Sequence, residues 1–451
     1  MRRTDWVPRI DAPDLPLFEA IAKSIADDIA AGKLLPGDHL PTQRQLAKRL
    51  DLDVTTIARG YSTAASRGHI ESRVGAGTFV RGAAISSESI PVRADVADRT
   101  MNQPPDVEPD LVESMKRSAA EAMHAFPQVL RYQPEGGDVR DKGAAIHWLS
   151  RRGIAVESQT LHITTGAHAA LTAVLSAELA EGGAIASEQV TYPGLFGIAR
   201  LLRCPVHGIP SDRDGILPDA LAEAIETKDV RVLYLNPTLH NPTTDTMPLN
   251  RRLEIVEVAR QFGIPIVEDD AYGFLPIQPP PAIVMLAPDC TYYVGGLAKC
   301  LGPGLRIAYL LVPPQTDRQE VTERLRAVSV MASPITTAIV THWIESGLAD
   351  KIVVGVRNET RQRIQLLKQT IPGRFRKTND FCFHAWIETP RRVPVKTLVD
   401  MLRGYSIGAV PANEFCTEEV APSAFRFCVG GPVSFATLQQ AMESIRPYYE
   451  S

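Results

Sequence analysis

The stretch Gly295-Gly296-Leu297-Ala298-Lys299-Cys300-Leu301-Gly302-Pro303-Gly304-Leu305-Arg306 places one lysine in a loop of small residues, with an arginine shortly after it. Glycines let a backbone approach a ligand closely and adopt positive φ angles. An arginine can hold a phosphate through two hydrogen bonds, and a lysine with a lowered pKa can form a Schiff base with an aldehyde. Together these residue types indicate pyridoxal 5'-phosphate (PLP), although a lysine beside glycines is also typical of a solvated loop.

The composition is that of a globular protein with more than one domain. The chain has 451 residues, of which 44% are hydrophobic and 22% are charged, so two or three domains with sizeable cores are expected. The net charge of -4 gives no support for nucleic-acid binding by the chain as a whole. We expect the six scattered cysteines to be free thiols. Because residues 1–10 are polar and no apolar run is long enough to span a membrane, we expect a cytoplasmic protein.

The first eighty residues have the pattern of a winged helix-turn-helix. Ile21, Ile25 and Ile29 recur at every fourth position, which predicts an amphipathic helix. Thr42 and Asp53 are of the type that begins a helix. The predicted elements are helices over 17–31, 43–50 and 54–67, followed by short strands over 70–73 and 77–80.

This segment closely resembles the GntR-type DNA-binding domain. The resemblance is carried by Pro16-Leu17-Phe18, by the run from Gly32 to Arg44, by Ala58-Arg59-Gly60-Tyr61 and by the run from Gly75 to Val80. It implies a domain over 15–83 that binds double-stranded operator DNA, with residues 53–65 as the recognition helix. The residues that it implies for DNA contact are Thr42, Gln43, Arg44, Thr55, Thr56, Arg59, Tyr61, Gly75 and Gly77. A winged helix used for protein contacts, or a vestigial one, is the alternative.

Residues 84–109 have few large apolar side chains and are predicted to be a linker. Beyond them, helical and strand patterns alternate, with apolar strands over 161–164, 231–235 and 265–269. This alternation predicts an α/β domain over 110–451, built on a mostly parallel sheet that is covered by helices. Ligands of such sheets bind at the carboxyl ends of the strands. Thr165-Gly166-Ala167, Asn236-Pro237 and Asp269-Asp270 lie at such ends.

Several of these polar residues fit a PLP site by their chemistry. Asp269 ends a buried strand and could pair with a pyridinium N–H, or form a structural ion pair. Tyr192 could stack on a flat ring, or be a packed loop residue. Asn241 and Tyr272 could hydrogen-bond a phenolic oxygen, or serve turn chemistry.

Together with Lys299 and Arg306, these residues resemble the fold-type I aminotransferases of the aspartate aminotransferase-like group. Further matches are the run from Arg131 to Gly136, Asn241-Pro242-Thr243 and Ala424-Phe425-Arg426-Phe427. The resemblance implies a PLP-dependent transferase-like fold with a small C-terminal α+β subdomain over about 320–451. It also implies that Lys299 forms the Schiff base and that Arg426 binds the carboxylate of an effector or substrate. The residues that it implies for cofactor binding are Ala167, His168, Tyr192, Asn241, Asp269, Tyr272, Lys299, Arg306 and, toward the partner subunit of a dimer, Tyr132.

Four residues differ from the usual pattern of this group. Gly296 and Ala298 stand where serine is usual, His168 stands where glutamine is frequent, and Thr244 stands where glycine is usual. These differences predict either weaker phosphate binding or a shift of phosphate binding to backbone groups and Arg306.

The order of the two segments resembles the MocR family of bacterial transcription regulators. That resemblance implies a homodimer, head-to-tail, in which an amine or amino acid forms an external aldimine with PLP at Lys299 and alters DNA binding. Two alternatives stay open: an active aminotransferase with an accessory DNA-binding domain, and a sensor of PLP itself. The effector, the operator and the direction of regulation do not follow from the sequence.

Overall fold

The computed structural model describes residues 6–10, 15–31, 33–34, 38–73, 77–80, 101–373, 375, 379–390 and 393–450. The chain divides into two compact units, residues 1–97 and 98–451. Each unit has its own hydrophobic core.

The first unit consists of three helices and a β-hairpin, as the sequence predicts. Its elements are α1 (Leu17–Ala30), α2 (Gln43–Leu50), α3 (Val54–Ser66), β1 (Ile70–Arg73) and β2 (Gly77–Val80). Thr42 begins α2 through a capping box, in which its hydroxyl accepts from the Gln45 N–H and the Gln45 side chain accepts from the Thr42 N–H. Ile21, Ile25 and Ile57 are fully buried, so the isoleucines at every fourth position of α1 contribute to the core.

The hairpin of the first unit is antiparallel and pairs Ile70 with Val80 and Arg73 with Gly77. Gly77 has φ +113, and a Cβ at this position would lie 2.2 Å from Nε2 of His39. Glycine is therefore required here by both the backbone angle and the close approach of His39.

The second unit is built on a seven-stranded sheet with the strand order β3-β11-β10-β9-β8-β4-β5. Pairing is parallel from β10 to β5, whereas β11 is antiparallel to both β10 and β3. Its strands are β3 (Leu161–Thr164), β4 (Ala184–Glu188), β5 (Val206–Ile209), β8 (Val230–Leu235), β9 (Ile266–Asp269), β10 (Thr291–Gly296) and β11 (Ala308–Leu311), and a separate hairpin pairs β6 (Ser211–Asp212) with β7 (Gly215–Ile216).

Helices cover this sheet and continue toward the C-terminus. They are α4 (Pro109–Ala122), α5 (Val139–Ser150), α6 (Gly166–Glu178), α7 (Pro193–Leu202), α8 (Pro218–Thr227), α9 (Leu249–Phe262), α10 (Ile283–Leu286), α11 (Arg318–Ser329), α12 (Pro334–Glu345) and α13 (Leu348–Thr370). The predicted α/β architecture with a mostly parallel sheet is confirmed.

A smaller antiparallel sheet with the order β12-β14-β13 lies within the C-terminal part of the second unit. Its strands are β12 (His384–Glu388), β13 (Gly408–Pro411) and β14 (Ala424–Cys428), and its helices are α14 (Val395–Gly404), α15 (Phe435–Ile445) and α16 (Pro447–Glu450). Strands and helices here form the α+β arrangement that the sequence predicts for this part of the chain.

The C-terminal part of the predicted linker lies in the second unit. Of residues 84–109, the structure describes 101–109, and these fall after the boundary between Ala97 and Asp98. Pro105 forms a bridge with Gly431, and Asn102 is buried. Sequence composition did not reveal this packing, because the segment contains little apolar surface.

Among the described residues, no single helix combines the length and apolar composition needed to cross a membrane. Only α11 and α12 taken together meet that criterion, and they are bent by 115° at the break between them.

Replacing Tyr61 by phenylalanine is expected to destabilise the first unit. The Tyr61 hydroxyl donates to the Pro41 carbonyl at 2.8 Å in the core, and removing the donor leaves that carbonyl without this bond. We expect a loss of about 1 kcal/mol, seen as roughly five-fold faster amide exchange in α3. Hydrogen–deuterium exchange of the full chain measures this. Tyr132→Phe, at an exposed tyrosine of the second unit, is the control, and equal exchange in both variants would contradict the assignment.

Candidate functional site

A cavity of about 580 Å³ lies in the second unit and brings together most of the residues predicted for the site. Its walls come from the ends of β8, β9 and β10, from the start of α6 and from the smaller sheet. The predicted residues that line it are Ala167, His168, Tyr192, Asn241, Asp269, Tyr272, Lys299, Arg306 and Arg426.

Lys299 lies in the turn that follows β10 and is half-buried. Its ammonium group donates to the Asn102 carbonyl at 2.5 Å. Burial lowers the pKa of Lys299 to about 8, with a smaller effect from the positive charge of Arg426. Near neutral pH a larger share of this amine is therefore neutral and nucleophilic than for an ordinary lysine.

Asp269 is the one carboxylate of Glu268-Asp269-Asp270 that lines the cavity. Glu268 lies 3.5 Å from Arg252, and Asp270 accepts from Arg152 at 3.0 Å. Because side chains alternate along a strand, Asp269 points to the opposite face from these two ion pairs. The sequence predicted this residue without distinguishing it structurally from its neighbours.

Each atom of the Asp269 side chain has a different environment. Oδ2 accepts from the Tyr234 hydroxyl at 2.9 Å, whereas Oδ1 has no hydrogen-bond partner among the described residues. Burial raises the pKa of Asp269 to about 6, and the Tyr234 hydrogen bond opposes that rise. A buried carboxylate oxygen of this kind requires a donor, and a ligand N–H would provide one.

The start of α6 and Arg306 form one end of the cavity. Gly166 begins the helix with φ +78, and a Cβ there would lie 3.0 Å from Nη2 of Arg306. The first N–H groups of a helix and an adjacent guanidinium form an anion site. Burial, and to a smaller extent the charge of Arg306, lower the pKa of His168 beside this end.

A chain of hydrogen bonds connects Asp269 to Arg426. The Asn236 side chain donates to the Asp269 carbonyl at 2.6 Å and accepts from the Asn241 N–H at 2.8 Å. Arg426 in β14 then donates to the Asn241 side chain at 2.9 Å and lies over the Phe415 ring. The smaller sheet is thus joined to the ends of β8 and β9.

Tyr192 and Tyr272 are the two tyrosines of the cavity wall. Tyr192 precedes α7, and its ring packs so closely over Gly194 that a Cβ there would lie 2.2 Å from the ring. The Tyr272 hydroxyl accepts from the Asn102 side chain at 2.9 Å, which leaves its own proton available to another acceptor.

Three residues of this site were not among the candidates from the sequence: Asn102, Tyr234 and His384. Asn236 was noted at a strand end, but no role was assigned to it. Asn236 ends a predicted strand, so its position was a usable signal. Tyr234 falls in an apolar strand, His384 begins a strand far along the chain, and Asn102 falls in the predicted linker.

Tyr132 lies apart from the cavity of its own chain. It is 84% exposed and lines a different pocket, of about 330 Å³, beside Gln133 and Met331. Its implied role toward a partner subunit stays a prediction.

The residues predicted to contact DNA differ in their exposure. Thr42, Arg44, Thr55 and Arg59 are exposed, and Gln43, Thr56 and Gly77 are half-buried. The guanidinium of Arg59 lies over the Phe18 ring at 4.3 Å. Gly75 lies outside the described residues.

For Tyr61 the structure corrects the prediction. This side chain is 3% exposed and donates to the Pro41 carbonyl, so it holds α3 to the turn before α2 and does not face a nucleic acid. The motif match could not distinguish a residue retained for the core from one retained for contact.

Comparison with known families agrees with this two-part structure. The model of the family "Aminotransferase class I and II" matches residues 96–445. The chain therefore belongs to the class I and II aminotransferase family. The model "Bacterial regulatory proteins, gntR family" matches residues 17–80, and the resulting combination is that of the MocR-type regulators.

Curated relatives include both regulators and enzymes. The uncharacterized HTH-type transcriptional regulator YdeF of Bacillus subtilis is 28% identical over 98% of this chain and 96% of its own. The HTH-type pyridoxine biosynthesis transcriptional regulator PdxR of Corynebacterium glutamicum is 27% identical over 76% of each chain. The 2-aminoadipate transaminase of Thermus thermophilus is 26% identical over 69% of this chain and 78% of its own.

Solved structures show the same fold for the second unit. LysN, an alpha-aminoadipate aminotransferase of Thermus thermophilus, has a TM-score of 0.68 at 22% identity and covers 78% of this chain and 91% of its own. The kynurenine aminotransferase of Pyrococcus horikoshii has a TM-score of 0.68 at 20% identity, with coverage of 79% and 92%. At these identities the likeness shows the fold alone.

The reactivity of Lys299 is expected to depend on pH with a midpoint near pH 8. Only the neutral amine is nucleophilic, so labelling rises with pH through the Lys299 pKa of about 8. Arg426→Gln removes a nearby positive charge and is expected to move this midpoint upward, because the protonated amine is then less disfavoured. Trace labelling with acetic anhydride, followed by mass spectrometry of the Lys299 peptide, measures the midpoint.

The matched control is Arg446→Gln, at an exposed arginine that pairs with Glu450. A midpoint for the wild-type protein near that of ordinary lysines, or a downward shift in Arg426→Gln, would show that the electrostatics of the cavity are assigned wrongly.

Proposed function

We propose that this chain is a PLP-dependent, DNA-binding transcription regulator of bacterial type, whose cofactor site responds to an amine or amino acid. The observation that carries the proposal is that one cavity contains both the Lys299 amine and Oδ1 of Asp269. This carboxylate oxygen has no hydrogen-bond partner among the described residues. The chain that contains this cavity also has a GntR-type unit.

The residues of the cavity fit PLP at each of its functional groups. A pyridinium N–H would meet the requirement of Asp269 Oδ1 for a donor. The phosphate would suit the start of α6 with Arg306, where Gly166 leaves space. The ring oxygen would suit the proton of Tyr272 and the amide of Asn241. LysN, which shares the fold, has been solved with N-(5'-phosphopyridoxyl)-L-leucine.

PLP, when bound, supplies an aldehyde that condenses with primary amines and a ring that withdraws electrons. The chain supplies the amine of Lys299, held partly neutral by burial. Asp269 would keep the ring nitrogen protonated, and burial by the surrounding strands excludes water from that contact. Arg426 would bind the carboxylate of an amino acid, since it lines the cavity and is positioned by Asn241.

The first unit supports a role in DNA binding. Arg44, Thr55 and Arg59 are exposed, while the core of three helices and a hairpin holds α2 and α3 in place. A helix-turn-helix reads DNA through such exposed side chains at the start of its second helix. The regulator YdeF matches 98% of this chain and therefore both of its parts, which favours regulation as the main function.

Residual aminotransferase activity is the second candidate. Proton transfer by a lysine requires a pKa near the working pH, and the Lys299 pKa of about 8 satisfies this condition. A relative named as a 2-aminoadipate transaminase matches 69% of this chain. Sensing of PLP itself is a third candidate, which the relative named as a regulator of pyridoxine biosynthesis supports.

Lys299→Ala is expected to abolish the visible absorption band that wild-type protein develops with PLP, because the covalent link to the amine is lost. Titration of wild-type protein with a panel of amines and amino acids then separates the candidates. A band that shifts and stays shifted supports a sensor, whereas decay to the pyridoxamine form supports an aminotransferase. A wild-type protein that develops no visible band with PLP would refute the PLP-dependent proposal.

Arg59→Ala is expected to weaken binding to operator DNA by about ten-fold without changing the PLP spectrum, through the loss of one basic contact. Operator fragments selected from random duplex DNA serve as the probe in a gel-shift titration. Phe18→Leu is the matched control, since it removes the ring beneath the guanidinium but keeps the charge. Unchanged affinity in Arg59→Ala, or equal losses in both variants, would contradict a direct contact.

A further inference from the structure

Asn102 has an unusual position for a residue of a predicted linker. It is 4% exposed and lies four residues after Asp98, at the boundary of the second unit. Its side-chain nitrogen lies 2.9 Å from both the Tyr272 hydroxyl and Nδ1 of His384, and its side-chain oxygen accepts from the Cys428 thiol at 2.8 Å. Every polar atom of this side chain is therefore bonded inside the site.

The tautomer of His384 makes this arrangement consistent. Nε2 of His384 lies 3.2 Å from the His240 carbonyl and must carry the proton to bond with it. Nδ1 is then an acceptor, as the Asn102 amide requires. Burial lowers the pKa of His384 well below its ordinary value, so the ring stays neutral.

The residues that follow Asn102 contact Gly430 and Gly431, just after the end of β14 in the smaller sheet. The Gly431 N–H donates to the Pro104 carbonyl at 3.1 Å, and Pro105 forms a bridge with Gly431. A Cβ on Gly430 would lie 1.9 Å from the Gln103 carbonyl oxygen. We call residues 101–105, which make these contacts, the junction segment.

The backbone carbonyl of Asn102 connects the junction segment to the reactive lysine, because it accepts from the Lys299 amine at 2.5 Å. A free lysine ammonium has three N–H donors, whereas a lysine nitrogen joined to an aldehyde carbon keeps at most one and has to lie at that carbon. The contact with Asn102 is thus sensitive to the covalent state of Lys299.

We propose that Asn102 is a positioning residue of the lysine site, and that its carbonyl is where the Lys299 amine rests whenever that amine is not joined to the cofactor. The inference rests on the proposed function. The junction segment is held to the site when the amine is free and is released when the amine is engaged. An effector amine that takes the place of Lys299 returns the lysine to Asn102, and the junction segment is then held to the site again.

The first test uses the cofactor-free full chain and the pH midpoint of Lys299 labelling. A carbonyl that accepts from the ammonium favours the charged form of the lysine. Asn102→Ala keeps this backbone carbonyl but removes the side-chain bonds to Tyr272, His384 and Cys428 that hold it beside Lys299. The contact is then weakened, so the midpoint is expected to move downward. Simple loosening of the cavity would admit water and move it upward. Gly430→Ala, which displaces the Gln103 carbonyl but keeps Asn102, is expected to shift the midpoint in the same direction as Asn102→Ala. Asn250→Ala, at an exposed residue of α9, is the matched control.

The second test follows hydrogen exchange at the Gly431 amide, with and without saturating PLP. In wild-type protein PLP is expected to speed this exchange roughly five-fold, as the Pro104 bond loosens. In Lys299→Met the exchange is expected to be fast in both states.

An upward or absent midpoint shift in Asn102→Ala overturns the proposal, as does unchanged Gly431 exchange in a wild-type protein that shows the PLP band. Absence of the band overturns the proposed function instead, while the first test still decides the Asn102 contact.

Discussion

The buried carboxylate of Asp269 is the constraint on which the second unit depends. Its neighbours Glu268 and Asp270 face the other side of β9 and are balanced by Arg252 and Arg152. Such buried pairs require near-complete compensation, because an unpaired charge in the interior costs several kcal/mol. Asp269 accepts from the Tyr234 hydroxyl on Oδ2, while Oδ1 has no hydrogen-bond partner among the described residues. The fold therefore holds, in the wall of the cavity at the strand ends, a carboxylate that needs a donor.

The site is assembled from parts of the chain that are far apart in sequence. Arg426 in the smaller sheet bonds to Asn241 after β8, and His384 in the same sheet bonds to Asn102 near the start of the unit. Lys299 donates to Asn102, which bonds both to His384 of the smaller sheet and to Tyr272, three residues after the end of β9. This geometry gives a physical route by which ligand chemistry could bias the packing of the C-terminal strands.

The first unit owes its stability to its own core and to local capping. Thr42 and Gln45 begin α2 reciprocally, while the isoleucines of α1 pack against Ile57 of α3. The residues that a DNA-binding role requires are those that the core leaves exposed, such as Arg44 and Thr55. Substitutions in the cavity of the second unit leave the core contacts of the first unit in place, so their effects on the stability of the first unit are expected to be small.

The sequence by itself determined the two-part organisation and the α/β alternation, because short motifs and hydrophobic periodicity are local properties of the chain. It also selected Lys299, Asp269 and Arg306, which the structure places in one cavity. It included Tyr61 among the residues for DNA contact although this side chain is buried, since a motif match does not report burial. It could not find Asn102 or His384, whose roles depend on contacts between distant segments. Only the tertiary structure decided those, because a hydrogen bond between residues far apart in sequence leaves no periodic signal in either segment.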